Sequence, residues 1–233
     1  MKGKKIDAAD GLTFLDGTLN IIKRPKALPY EKVIIIHDHL ETAFLKIIRS
    51  EVARETEIIN AHDFSERTIT QKRNFIVLMC ENYDYPVLKA LYYKIANSAP
   101  QSGIVVAHHM PDAYYFSQPF FAEIGNPCHF CHADRLLSYE EKKNSKCNWA
   151  QLLKFSKQRG VKIPRTNNNL SLLHESMIAD FLTSRIKLFT CNTGAKRHQD
   201  AALSSASINP ITGKIEEEIV PHWTLCQCLR TVT

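Results

Sequence analysis

Four of the seven cysteines stand in two close pairs, Cys128-His-Phe-Cys131 and Cys226-Gln-Cys228. A C-x-x-C sets two sulfurs on one metal when a tight turn carries it, and Gly125 and Pro127 ahead of the first pair suit such a turn. A C-x-C near the other end offers two more. Four thiolates are the donor set of a closed tetrahedral zinc site, with Zn–S distances of about 2.3 Å. Such a site has no open position for water, so it implies a structural tie rather than hydrolysis. It would fasten the C-terminal segment to the region after the sheet and contribute directly to folding. His129 and His222 are spare candidates for a fourth ligand, ranked below the sulfurs because a histidine beside a cysteine pair more often packs or supports.

Other fates of these cysteines fit less well. An odd count without a secretion signal argues against a disulfide framework. A thioredoxin-like redox pair would sit at a helix start directly after an early strand, whereas this C-x-x-C follows an aromatic stretch far along the chain. Cys80, Cys147 and Cys191 read as thiols without a role.

The elements that must position these residues are legible in part. Lys32 to Ile36, Phe75 to Cys80 and Gly103 to Ala107 are short continuous apolar runs, the pattern of strands buried on both faces. Between them the sequence predicts helices. Asp38 caps the first, with Glu41 in capping-box spacing and Phe44, Ile47 and Ile48 facing inward. Pro86 opens the second, which carries Val87, Leu88, Leu91, Tyr92 and Ile95 on one stripe. Strands alternating with helices mean a parallel sheet covered by helices. Ala113 to Phe121 is aromatic and extended. Two further helices are predicted over 148–158 and 172–187, the second with Leu173, Met177, Ile178, Phe181 and Leu182 on one face. Asn209-Pro-Ile-Thr-Gly reads as a turn between two strands, 202–208 and 214–220. Residues 1–30 cannot build a core alone and read as a linker or the tail end of another domain, leaving 31–233 as the main one.

A Rossmann-type nucleotide site needs a glycine-rich turn just after the first strand, where phosphates approach the backbone. The residues there are His37-Asp38-His39-Leu40, with no glycine and with a carboxylate where a phosphate would go. No P-loop appears. His108-His109 follows the third apolar run at the end where α/β sites lie, but polar loop residues explain it equally well.

The charged fraction of 23% and hydrophobic fraction of 44% are those of a globular chain. No apolar run approaches a bilayer span, and the opening Met1-Lys-Gly-Lys-Lys lacks a signal-peptide core, so a cytoplasmic location with no membrane role is the expectation. The net charge is +6, and eight Lys or Arg residues fall between Lys142 and Arg165. That stretch suits an acidic partner or a plain solvated face. Basic residues spread without interleaved aromatics argue against nucleic acid.

Ile124-Gly-Asn-Pro-Cys-His-Phe-Cys-His-Ala-Asp-Arg-Leu-Leu-Ser138, running on through Lys142, resembles the central signature of the McbB family of microcin-processing proteins. Asn148-Trp-Ala-Gln-Leu-Leu153 is similar too, as is the ending Pro221-His-Trp-Thr-Leu-Cys-Gln-Cys-Leu-Arg230. Residues 31–123 match more loosely and 160–218 poorly. The resemblance implies an α/β, ThiF-like (Rossmann-type) fold, mostly parallel, with helices on both faces and a structural four-cysteine site binding one zinc per chain through Cys128, Cys131, Cys226 and Cys228. It implies a non-catalytic scaffold and peptide clamp, a homodimer within a larger complex, carrying neither ATP nor FMN. Its partners would be a YcaO-type ATP-dependent cyclodehydratase, an FMN-dependent dehydrogenase and a precursor peptide whose Cys, Ser or Thr residues become azoles. Family members begin with a winged-helix-like domain that captures the leader peptide as an added strand, and residues 1–30 resemble only its tail. The alternative is an active ThiF-like adenylyltransferase, which would need the missing ATP loop.

Overall fold

The computed structural model describes residues 30–38, 42–52, 55–65, 69, 73–143, 148–165, 170–190 and 203–229. The expectations for residues 1–29, Glu41, Cys147 and Cys191 lie outside these.

The three apolar runs form the strands β1 (Val33–His37), β3 (Phe75–Cys80) and β4 (Gly103–His109). Their residues are buried whichever way they point, which is why the runs are continuous rather than alternating. A further strand, β2 (Thr56–Asn60), pairs parallel to β1. Its five residues are only half-buried, and Thr-Glu-Ile-Ile-Asn is too short and mixed to stand out in sequence. β5 (Tyr114–Phe116), β6 (Phe120–Phe121), β7 (Ser204–Ile208) and β8 (Ile215–Ile219) complete an eight-stranded sheet of order β2-β1-β3-β4-β5-β7-β8, with β6 pairing to β4. β1, β2, β3 and β4 run parallel, and every pairing of β5, β6, β7 and β8 is antiparallel.

Side chains alternate across the sheet into two cores. Ile34, Ile36, Ile76, Leu78, Ile104 and Val106 face one side, under α2 (Tyr85–Ser98), α3 (His129–Lys143) and α4 (Asn148–Arg159). Val33, Ile35, Phe75, Val77, Val105 and Ala107 face the other, under α1 (Thr42–Glu51) and α5 (Leu172–Thr190).

Several helix readings need correcting. In α2, Leu88, Tyr92 and Ile95 are buried as expected, with Pro86 in the first turn and Asp84 as N-cap, but Val87 is 61% exposed. In α5, Leu173 is exposed on the first turn, beyond the reach of the sheet, while Ile178, Phe181 and Leu182 are buried. Asp38 also ties the sheet together: its carboxylate accepts the backbone N–H of Glu81 at 2.8 Å and of Asn82 at 3.1 Å. The β7–β8 hairpin turns where Asn209-Pro-Ile-Thr-Gly predicts. Asn209 Oδ1 accepts from the Ile211 and Thr212 backbone N–H groups, and Gly213 supplies φ 70°. No described helix is long and apolar enough to cross a membrane.

Candidate metal centre

The first cysteine pair lies where the sheet hands over to α3. Asn126 shapes the turn after β6: its Oδ1 accepts the Phe121 N–H and its Nδ2 donates to the Pro119 carbonyl, both at 2.8 Å. Gly125 adopts φ 71°, open to it without strain. Buried Gln118 then holds the next residues from beneath, donating Nε2 to the carbonyls of Pro127 at 3.1 Å and Cys128 at 2.8 Å. Cys128 falls just before α3 and Cys131 in its first turn, so the pair straddles a helix N-terminus rather than lying in the turn alone. The helix dipole at that end favours thiolates.

The sequence reading holds no counterpart to α3. Phe130, Ala133 and Leu137 are its buried positions, a helical spacing that a turn reading of the C-x-x-C conceals. A helix start is also what a thioredoxin-like pair needs. Here, however, the pair follows the late strand β6, and two more sulfurs meet it.

Those come from the chain's other end. After β8 the segment from Val220 onward packs into the core shared with α2 and α3. Cys226 N–H donates to the Trp223 carbonyl at 2.9 Å, and a short 3-10 turn, Gln227–Leu229, carries Cys228. All four sulfurs are buried and lie within 4.8 Å of one another. Cys128 and Cys226 are 3.4 Å apart, Cys131 and Cys228 3.5 Å, and Cys128 and Cys131 3.9 Å. A tetrahedron with metal–sulfur bonds of about 2.3 Å has edges of about 3.8 Å. A disulfide would need about 2.05 Å. The gathered sulfurs therefore fit a single four-coordinate ion.

Electrostatics favour the same reading. Burial pushes the Cys128 thiol well up. Hydrogen bonding with Cys128 draws Cys131 well down and Cys226 down to about 7. Four sulfurs this close cannot all carry charge unaided, so protons are shared among them until a cation takes their place.

The two spare histidines divide. His129 turns away, its Nε2 2.8 Å from the Tyr83 hydroxyl. His222 lies alongside, its Nδ1 3.9 Å from the Cys131 sulfur, with four thiolates already filling a tetrahedron. Cys80 stands apart near Asp38. His108 is buried and stacked on Trp149 at 4.9 Å, and His109 packs edge-on against Tyr114 at 4.8 Å beside Glu81, so the histidine pair belongs to packing. Sequence reasoning missed Tyr93, whose hydroxyl lies 3.4 Å from the sulfurs of both Cys128 and Cys226. It also missed Gln118 and Asn126. Asn126, just ahead of Pro-Cys, carried a signal, because asparagine there suits a side-chain-capped turn.

With this geometry in place, comparison with known proteins is decisive. A family model described as "Microcin B17-processing protein McbB" matches residues 1–230. The chain belongs to the McbB family. A curated McbB of Escherichia coli, named Microcin B17-processing protein, is 28% identical over 229 residues, covering 96% of this chain and 76% of that protein. A chain of the solved E. coli Microcin synthetase McbBCD complex superposes with a TM-score of 0.67 at 25% identity, covering 96% of this chain and 78% of its own. The same complex with pro-MccB17 bound gives 0.67 at 26% identity, with the same coverage. A heterocyclase solved with substrate and cofactor, 11% identical at a TM-score of 0.51, covers 86% of this chain and 25% of its own, and shares the fold alone. The α/β, ThiF-like assignment thus holds for this McbB-family chain, and its four clustered cysteines could hold a metal ion.

Proposed function

We propose that this chain is a scaffold and peptide-clamp subunit, without chemistry of its own, of a cytoplasmic complex that turns Cys, Ser and Thr residues of a precursor peptide into thiazole and oxazole rings. A YcaO-type cyclodehydratase and an FMN-dependent dehydrogenase are its partners, and a second copy of the chain completes the clamp. The match of residues 1–230 to the McbB model carries this reading. One zinc per chain, held by Cys128, Cys131, Cys226 and Cys228, is the metal their chemistry suits: four thiolates select a borderline-soft ion, and a closed four-cysteine set is structural. It would pin the C-terminal segment to the start of α3.

Asp38 supports the absence of catalysis. In an open α/β sheet, ligands enter where the strand order reverses, here between β1 and β3. At that point the Glu81 and Asn82 N–H groups already donate to the Asp38 carboxylate. An anion fixed at this point repels an approaching nucleotide phosphate, which disfavours the adenylyltransferase reading.

Reconstitution tests the proposal. Mixed with its cyclodehydratase, dehydrogenase and precursor, the chain should support a mass loss of about 20 Da per ring, from water and then two hydrogens. Ring formation at the same rate without the chain contradicts the scaffold role. Peptide-dependent ATP–pyrophosphate exchange by the chain alone contradicts the non-catalytic one.

A further inference from the structure

We infer that the crevice at the reversal point, together with the basic flank of α4, is a docking site for an acidic peptide segment that inserts one apolar side chain. The inference stands apart from the azole reading and is tested on this chain alone.

The crevice measures about 130 Å³. Ile36, Leu78, Leu88 and Leu91 give it an apolar lining, and Val87, 61% exposed on the first turn of α2, stands at its mouth. Two carboxylates also line it, and both are engaged. Asp38 accepts from Glu81 and Asn82, and Asp84 Oδ1 accepts the Val87 N–H at 3.2 Å. An anion entering would meet both, whereas a neutral apolar side chain gains from leaving water.

Lys162 lines the same crevice and leads to α4. The β-bridge between Tyr83 and Ile163 fixes the segment after α4 against the loop that precedes α2. Lys157 reaches over the Tyr85 ring at 5.5 Å, next to Pro86 and Val87. Lys157, with Lys154 one turn before it on the same face of α4, and Lys162 thus flank the crevice on one side. Residues 148–164 contain four basic residues and no acidic one, where the chain's average composition would place about two acids on a mixed surface, while Arg165 beyond them is paired with Glu81 and Glu175. In the same stretch Phe155 is 55% exposed and Val161 44% exposed. An aromatic among charges of a single sign is the composition of a recognition surface, where apolar anchors are ringed by charges that select the partner. Positive flank and apolar socket together demand a segment with carboxylates on one side and a Phe- or Leu-like residue to insert.

The test is fluorescence polarisation of a labelled peptide of glutamates around a central phenylalanine, against a twin with serine in the centre. The phenylalanine peptide should bind, and the serine twin about tenfold more weakly. Lys157→Glu/Lys162→Glu should weaken binding about tenfold, and so should Val87→Gln at unchanged melting temperature. Absence of binding, equal binding of the twins, or displacement by ATP overturns the proposal. So does duplex DNA or an anionic lipid vesicle binding more tightly than the peptide, with loss in the charge variant but not in Val87→Gln.

Discussion

Tyr93 and Cys226 are 133 positions apart in sequence, yet the tyrosine hydroxyl lies 3.4 Å from the cysteine sulfur. The same hydroxyl is 3.4 Å from Cys128. One side chain on α2 thus touches both segments that supply the sulfurs. Once the sulfurs are thiolates, the hydroxyl donates to them, relieving charge and holding them in register. Tyr93→Phe keeps the ring packing and removes only the donor. Release of the metal to a chelator should be about tenfold faster. An unchanged release rate would show that the hydroxyl bears on neither sulfur.

Cys128→Ser and Cys228→Ser should each lose the bound metal. With it goes the tie between α3 and residues 220–229, so amide exchange should quicken there first, and the melting temperature should fall. A Cys128→Ser protein that keeps one metal per chain and melts normally contradicts the ligand assignment.

The sheet was legible because its central strands are short runs apolar on both faces, too short for helices of their own. The cysteine pairs were legible because spacing alone restricts how sulfurs can meet. β2 and α3 were not. β2 is a half-buried strand of five residues, and the buried stripe of α3 is interrupted by His132, Asp134 and Arg135, whose roles depend on neighbours far along the chain. Asp38 shows the same limit. Its local spacing says helix cap, whereas its contact with Glu81 and Asn82 joins positions more than forty residues apart and shows only in the tertiary structure.

Asp38→Ala strips the acceptor from those two N–H groups. Partly buried donors without partners cost about 1–3 kcal/mol, which urea unfolding would read directly. The variant should still show no ATP–pyrophosphate exchange, because no glycine turn follows β1. A variant as stable as the parent would mean the clamp contributes nothing.

His108 makes stability depend on pH. Burial lowers its pKa from 6.5 to about 4, and burial likewise lowers His109 to about 3. Between those values and 6.5 the unfolded chain binds protons that the folded one refuses. Stability is therefore complete above about pH 6.5 and is lost as pH falls toward about 4. His108 alone would contribute about 3 kcal/mol to that loss. Urea midpoints measured from about pH 7.5 to about 4.5 should fall steadily, and His108→Gln should flatten the slope. A flat profile for the parent protein contradicts a buried neutral imidazole.

Elemental analysis of the purified chain, combined with X-ray absorption at the zinc edge, tests the centre most directly. One zinc per chain with four sulfur neighbours at about 2.3 Å is the expected result. A metal-free protein, two disulfides in its place, or a shell in which the His222 nitrogen replaces a sulfur would contradict it.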